Sequence, residues 1–165
     1  MTDNKDNHFV FVAPMFNAAD TINQMLHSIV GQSYTNWSLI LIDDVSTEGL
    51  EYVEEQVQRF KDLLGDDDDP KITLIKNTEK KWEVANVLEG ISMCADDTII
   101  CRIDADDWLT DLDALAIINA VYQQAGCDAL WTAHRWGFSD KNISGPFNTG
   151  PDRDWETNHR HQFDR

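Results

Sequence analysis

The chain has 165 residues, 13 Lys and Arg against 30 Asp and Glu, a formal charge of −17 and a 42% hydrophobic fraction. This length suits one domain or part of a larger one, and the apolar content, with six Trp and seven Phe, argues against disorder. The negative charge excludes nucleic acid and anionic membranes as expected partners, because the phosphate attraction that dominates such binding would be repulsive. No apolar run approaches the roughly 18 residues of a membrane span. Met1 to Asn7 lacks the apolar core of a signal peptide, so a cytoplasmic location is expected. Cys94, Cys101 and Cys127 are odd in number, have no C-x-x-C spacing and sit in apolar stretches, which predicts reduced, buried thiols.

Phe9 to Ala13 is a continuous apolar run ended by Pro14 and predicts a buried strand. Ile22, Met25, Leu26, Ile29 and Val30 recur at helical spacing, with Thr21 to Gln24 as a capping box and Gly31 as the stop. Leu39 to Ile42 predicts a second strand, and Leu50, Val53, Val57, Phe60 and Leu64 a second helix ending at Gly65. Asp66 to Asp69 is a run of like charges read as a solvated turn.

A third strand is predicted over Ile72 to Ile75, then a helix with Val84, Val87, Leu88 and Ile91 on its apolar face. A fourth strand over Thr98 to Ile103 precedes a helix marked by Leu112, Leu115, Ile118, Val121 and Tyr122 and stopped by Gly126. Ala129 to Ala133 suggests a fifth strand. Beyond Trp136 the periodicity fails, and Gly145-Pro146 and Gly150-Pro151 punctuate the remainder. The alternation predicts an α/β fold with a mostly parallel sheet and helices on both faces. Residues 1–8 are expected to form a tail, 9–137 the core, and 138–165 the incomplete start of a further region.

Ligands of open α/β sheets bind beyond the carboxyl ends of the strands. There the sequence places Pro14, Phe16 and Asn17, then Asp43 and Asp44, then Asn77, then Asp104, Asp106 and Asp107. Neither a G-x-G-x-x-G nor a P-loop is present, which removes the ordinary dinucleotide and P-loop enzymes. Neighbouring carboxylates repel by about 4 kcal/mol at 4 Å and an effective dielectric near 20, so the acidic loop invites a cation, and hard oxygen ligands favour Mg²⁺ or Mn²⁺. For Asp43 and Asp44 a helix cap or turn is the lesser alternative. His134, His159 and His161 lack zinc spacing.

An ordered set of segments resembles the inverting family 2 glycosyltransferases of the GT-A fold. Phe9 to Asn17 is similar to their opening strand and P-x-[YF]-N turn, and Ser28 to Trp37 to their S-[IV]-x-x-Q-[ST]-[YF]-x-[ND]-[WFY] segment. Ile42 to Thr47 is similar to D-D-x-S-T, Ala85-Asn86 with Gly90-Ile91 to the third helix, and Ile103 to Leu109 to D-x-D-D. Trp155 to Phe163 resembles a W-x-x-x-H-x-x-x-F stretch of one branch.

The resemblance implies a nucleotide-sugar donor, most often UDP-linked, and an acceptor of unknown identity. It implies that Pro14 and Phe16 line the base, with Asn17 beside them, and that Asp44 accepts a hydrogen bond from the base. Asn86 joins the donor site, Asp104 faces the ribose or sugar, and Asp106, with Asp104, holds Mn²⁺ or Mg²⁺ against the diphosphate. Lys80 or Lys81 is expected to touch phosphate. Val45 stands where the family has Gly, so the turn is expected to avoid positive φ. The general base belongs to the family's later half, and no residue of this chain is assigned that role. A truncated or split nucleotide-sugar-binding module, completed by a homodimer partner or a missing C-terminal half, is the alternative; a phosphohydrolase using Asp104 and Asp106 ranks last.

Overall fold

The computed structural model describes residues 6–65 and 70–132. Along the chain run β1 (Phe9–Met15), α1 (Ile22–Val30), β2 (Trp37–Asp43), α2 (Leu50–Leu64), β3 (Ile72–Lys76), α3 (Trp82–Ser92), β4 (Ile99–Arg102) and α4 (Ala114–Ala125). The strands form one parallel sheet in the order β3-β2-β1-β4. Two compact units divide at Gly126 and Cys127. In the second unit, residues 127–132 carry no regular structure. The strand expected from Ala129 is therefore not formed through Thr132: a short apolar run becomes a strand only where a neighbour takes its backbone hydrogen bonds. The acidic run 66–69, the boundary expected at 137/138, and the stretch from His134 and Trp136 to Phe163 lie outside the described residues.

β1 is one of the two inner strands, and its uninterrupted apolar run follows from burial on both faces. Phe9, Phe11, Ala13 and Met15 join the buried residues of α1 and α2 and Leu115 of α4 in the main core. Val10 and Val12 pack with Ile40 and Ile42 on the opposite face. α3 covers that face through Gly90: a Cβ there would lie 2.5 Å from Val12 Cγ1. Gly90→Ala is therefore expected to cost about 1–3 kcal/mol by overpacking. Urea unfolding reads this directly, and an unchanged midpoint would contradict so close an approach.

The same contact reverses the expected face of α3. Its buried residues are Asn86 and Gly90, whereas Val84, Leu88 and Ile91 are 71%, 61% and 39% exposed. The sheet takes the helix where its backbone can come nearest, and that leaves the larger apolar side chains outward. At α1, Thr21 does not cap the helix through its side chain. Its hydroxyl donates instead to the Ala105 carbonyl at 2.9 Å, tying the helix start to the loop after β4. α2 and α4 stop at Gly65 and Gly126, both left-handed, as the sequence predicts. Cys94, Cys101 and Cys127 are free thiols of intermediate burial. Burial pushes the Cys101 thiol up to about 12.

Candidate functional site

Because β1 has β2 on one side and β4 on the other, the chain reverses direction across the sheet between β1 and β4, and the carboxyl ends of the strands at such a reversal are where open α/β sheets form their ligand crevice. Phe16 follows β1, and Asp104 and Asp106 follow β4 at this point; Asp44 follows β2 and Asn77 follows β3. Pro14 lies in β1, paired with Ile42.

The loops after β1 and β2 are stitched together by side chains. Asn17, at φ 53°, donates its backbone N–H to Ser46 Oγ at 2.8 Å. Its Oδ1 accepts from the N–H groups of Thr47 and Glu48 at 2.8 and 3.3 Å. Asp43, 1% exposed, accepts from the Ser46 N–H at 3.2 Å and from the Ser46 hydroxyl. Between these fixed points Val45 has φ 63°, contrary to the expectation that valine would keep the turn out of the left-handed region. The clamps on both sides impose a conformation that a β-branched residue disfavours. Relief of that strain, less the entropy lost by glycine, makes Val45→Gly stabilising by about 1 kcal/mol. Calorimetric melting should show a rise of about 3–5 °C; a fall would mean that the valine side chain supplies more packing than its backbone costs.

Asp44 is 5% exposed, and its carboxylate organises the approach to α3. Oδ1 accepts from the Lys81 N–H at 2.7 Å and from Asn77 Nδ2 at 3.1 Å, and Oδ2 accepts from the Trp82 N–H at 2.9 Å. Burial pushes this carboxyl up, but the Lys81 N–H, the amides of Asn86 and Asn77 and the Trp82 N–H together hold it down, at about 2. Asn77 Nδ2 also donates to Asn86 Oδ1 at 2.7 Å. Asn86 Nδ2 is buried, close enough to influence Asp44, yet without a partner in hydrogen-bond geometry among the described residues.

On the other side of the crevice, Arg102 Nη2 donates to Asp104 Oδ1 at 2.8 Å and also pairs with Glu83. Burial raises the Asp104 carboxyl; Arg102 opposes this, while Glu83, Asp107 and Asp106 add to it. Two consecutive residues at the start of α3 thus link the two sides: Trp82 through its N–H to Asp44, Glu83 through Arg102 to Asp104. Asp106 and Asp107 are exposed. The Lys81 ammonium, expected at phosphate, pairs with Glu89 at 2.6 Å. Lys80 Nζ sits 3.3 Å from the centre of the Phe16 ring, which is 46% exposed.

The structure therefore brings Phe16, Asn17, Asp44, Asn86, Asp104 and Asp106 to one rim. Sequence reasoning missed Arg102, Glu83 and Trp82. The Arg102 signal was legible as a cation inside an apolar strand, two residues before Asp104 and so on the same side. Among the described residues no three His, Cys, Asp or Glu side chains stand together as a metal-holding group. No described helix is long and apolar enough to cross a membrane.

A parallel sheet of this order with helices on both faces is a doubly wound α/β core, here of the GT-A type. Two solved structures share it. The mannosyltransferase PcManGT of Pyrobaculum calidifontis, in complex with GDP-Man and Mn²⁺, superposes with a TM-score of 0.59 at 22% identity, over 71% of this chain and 33% of that one. TarS of S. aureus, residues 1–349 in complex with UDP, gives 0.58 at 15% identity, over 71% and 32%. The amylovoran biosynthesis glycosyltransferase AmsB of Erwinia amylovora is 31% identical over 109 residues, 65% of this chain and 34% of that protein. The Glycosyl transferase family 2 model matches residues 10–161, and the chain belongs to that family. The matched stretches span less than half the length of the curated relatives.

Proposed function

We propose that the chain is the donor-binding part of an inverting glycosyltransferase that takes a UDP-sugar with Mn²⁺ or Mg²⁺ and passes the sugar to an acceptor. The observation that carries this reading is the joining of the Asp44 and Asp104 sides of the crevice by the first turn of α3. Pro14 and Phe16 wall the base, and Asp44 Oδ2, with one N–H donor, keeps a lone pair for a base imide. Asn17 and Asn86 act by fixing the loops on which the other groups ride. Asp104, steadied by Arg102, faces the ribose or sugar.

Asp106 and the second oxygen of Asp104 suit a small hard cation, which takes one or two carboxylates and completes its shell with water and phosphate, so a third protein ligand is not required. A divalent ion held there would neutralise diphosphate charge and stabilise the departing nucleoside diphosphate. PcManGT's complex with GDP-Man and Mn²⁺ and TarS's complex with UDP support this use of the fold. Titration calorimetry with UDP, in Mn²⁺ and then in chelator, tests it: binding is expected only with metal, and equal affinity in both would defeat the assignment. The matched stretches span less than half of each relative, so donor binding by these residues and transfer by them are separate questions. Incubation with UDP-sugars separates the two, since released UDP marks turnover.

A further inference from the structure

We propose that Trp82 is the second aromatic wall of the base site, and that Phe16 and Trp82 hold the nucleobase between them in place of the Lys80 ammonium. This rests on the donor-binding reading above and goes beyond it in assigning a base contact to the start of α3. Lys80 Nζ lies 3.3 Å from the Phe16 ring centre and 5.2 Å from that of Trp82. The two ring centres are therefore no farther apart than those two distances combined. A planar base in van der Waals contact with a ring on each side needs the ring centres roughly 7 Å apart, a separation that lies within this upper bound.

Trp82 is 70% exposed and has φ 67°. An indole in the left-handed region, turned to solvent, gains neither burial nor backbone comfort, and retained strain of this kind gathers at binding sites. Its backbone N–H is held by Asp44 Oδ2, the atom assigned to the base imide, so the ring is anchored at the base's polar edge. A cation on the face of each ring is a favourable occupant of the empty clamp. Lys80 is exposed, so its displacement unpacks no buried contact. When the base enters, the ammonium moves to the diphosphate, whose charge draws it, and Lys80 thereby serves the phosphate contact that Lys81, paired with Glu89, does not.

The test compares uridine with UDP plus Mn²⁺ by titration calorimetry, alongside quenching of indole fluorescence. Trp82→Ala is expected to weaken both ligands about 5- to 150-fold, the worth of one base–aromatic stack, and Trp82→Phe to restore most of that. The uridine-induced quench should be smaller in Trp82→Phe than in the parent protein. Lys80→Met is expected to leave uridine binding equal or tighter, because the clamp is vacated, while UDP binds more weakly. Unchanged uridine affinity in Trp82→Ala would overturn the clamp while the donor site stands. Equal weakening of uridine and UDP in Lys80→Met would overturn the exchange of cation for base. Failure of the parent protein to bind either ligand would bring down the donor reading and the clamp with it.

Discussion

Replacing Asp44 by alanine is expected to destabilise the domain by about 2–4 kcal/mol and to weaken UDP binding by about two orders of magnitude. Three donors lose their acceptor at once: the N–H groups of Lys81 and Trp82 and the amide of Asn77. Each partly buried group left unmatched costs about 1–3 kcal/mol less whatever water recovers, so the sum falls below three full penalties. Binding suffers further because the start of α3 loses the point that sets its position. Asp44→Asn is no rescue, since its NH₂ would face N–H groups in place of one oxygen. The pH dependence gives an independent reading. The Asp44 carboxyl is held at about 2, below the ordinary value of about 3.9. A depressed carboxyl contributes stability that is fully present above its unfolded value and is lost as pH falls toward the folded one. The stability difference between parent and Asp44→Ala should therefore shrink from about pH 4 down to about 2. A difference that stays constant across that window would show that the ionised carboxylate is not what holds the loop.

Asp106→Ala is expected to do the opposite on one axis and the same on the other: UDP affinity in Mn²⁺ should fall about 100-fold, to the level seen in chelator, with the melting temperature unchanged. Asp106 is exposed, so its removal strips no packed contact, whereas loss of a carboxylate that would hold the cation would remove the charge neutralisation on which diphosphate binding depends. Asp104 should differ. Its carboxylate is half of an ion pair with Arg102 that also reaches Glu83, so Asp104→Ala leaves the guanidinium with Glu83 alone and disturbs the start of α3 as well. Calorimetry in Mn²⁺ and in chelator, with melting curves for both variants, resolves the pair. Retained metal dependence in Asp106→Ala would remove this residue from the metal site.

The strands and the helix limits were legible because burial on both faces of a parallel sheet leaves unbroken apolar runs, and because amphipathic helices repeat at their own period. Which stripe of a helix meets the sheet is a different question. In α3 periodicity pointed to Val84, Val87, Leu88 and Ile91, of which Val87 alone is partly buried, and contact runs through Asn86 and Gly90, where closeness of backbone and one buried amide outweigh apolar area. The positions of Asp44, Asp104 and Asp106 were readable from the rule that sheet ligands sit past the strand ends. What those carboxylates do to the protein itself was not, since a hydrogen bond to the N–H of Lys81, 37 positions away, leaves no local trace. Val45 and Trp82 escaped for a related reason: positive φ is imposed by distant clamps, and nothing in the residue type announces it.

Asn17, Val45 and Trp82, the non-glycine residues of positive φ among those described, stand in the loops after β1 and β2 and at the start of α3, and these three segments are cross-linked by Asn17 to Ser46, Thr47 and Glu48 and by Trp82 to Asp44. Swapping a single one of these segments into or out of a homologous scaffold would cut its cross-links and leave the recipient carrying an unsupported kink. Chimeras meant to change donor preference should therefore move all three segments as a block, with Asp43 and Asp44 as part of the insert.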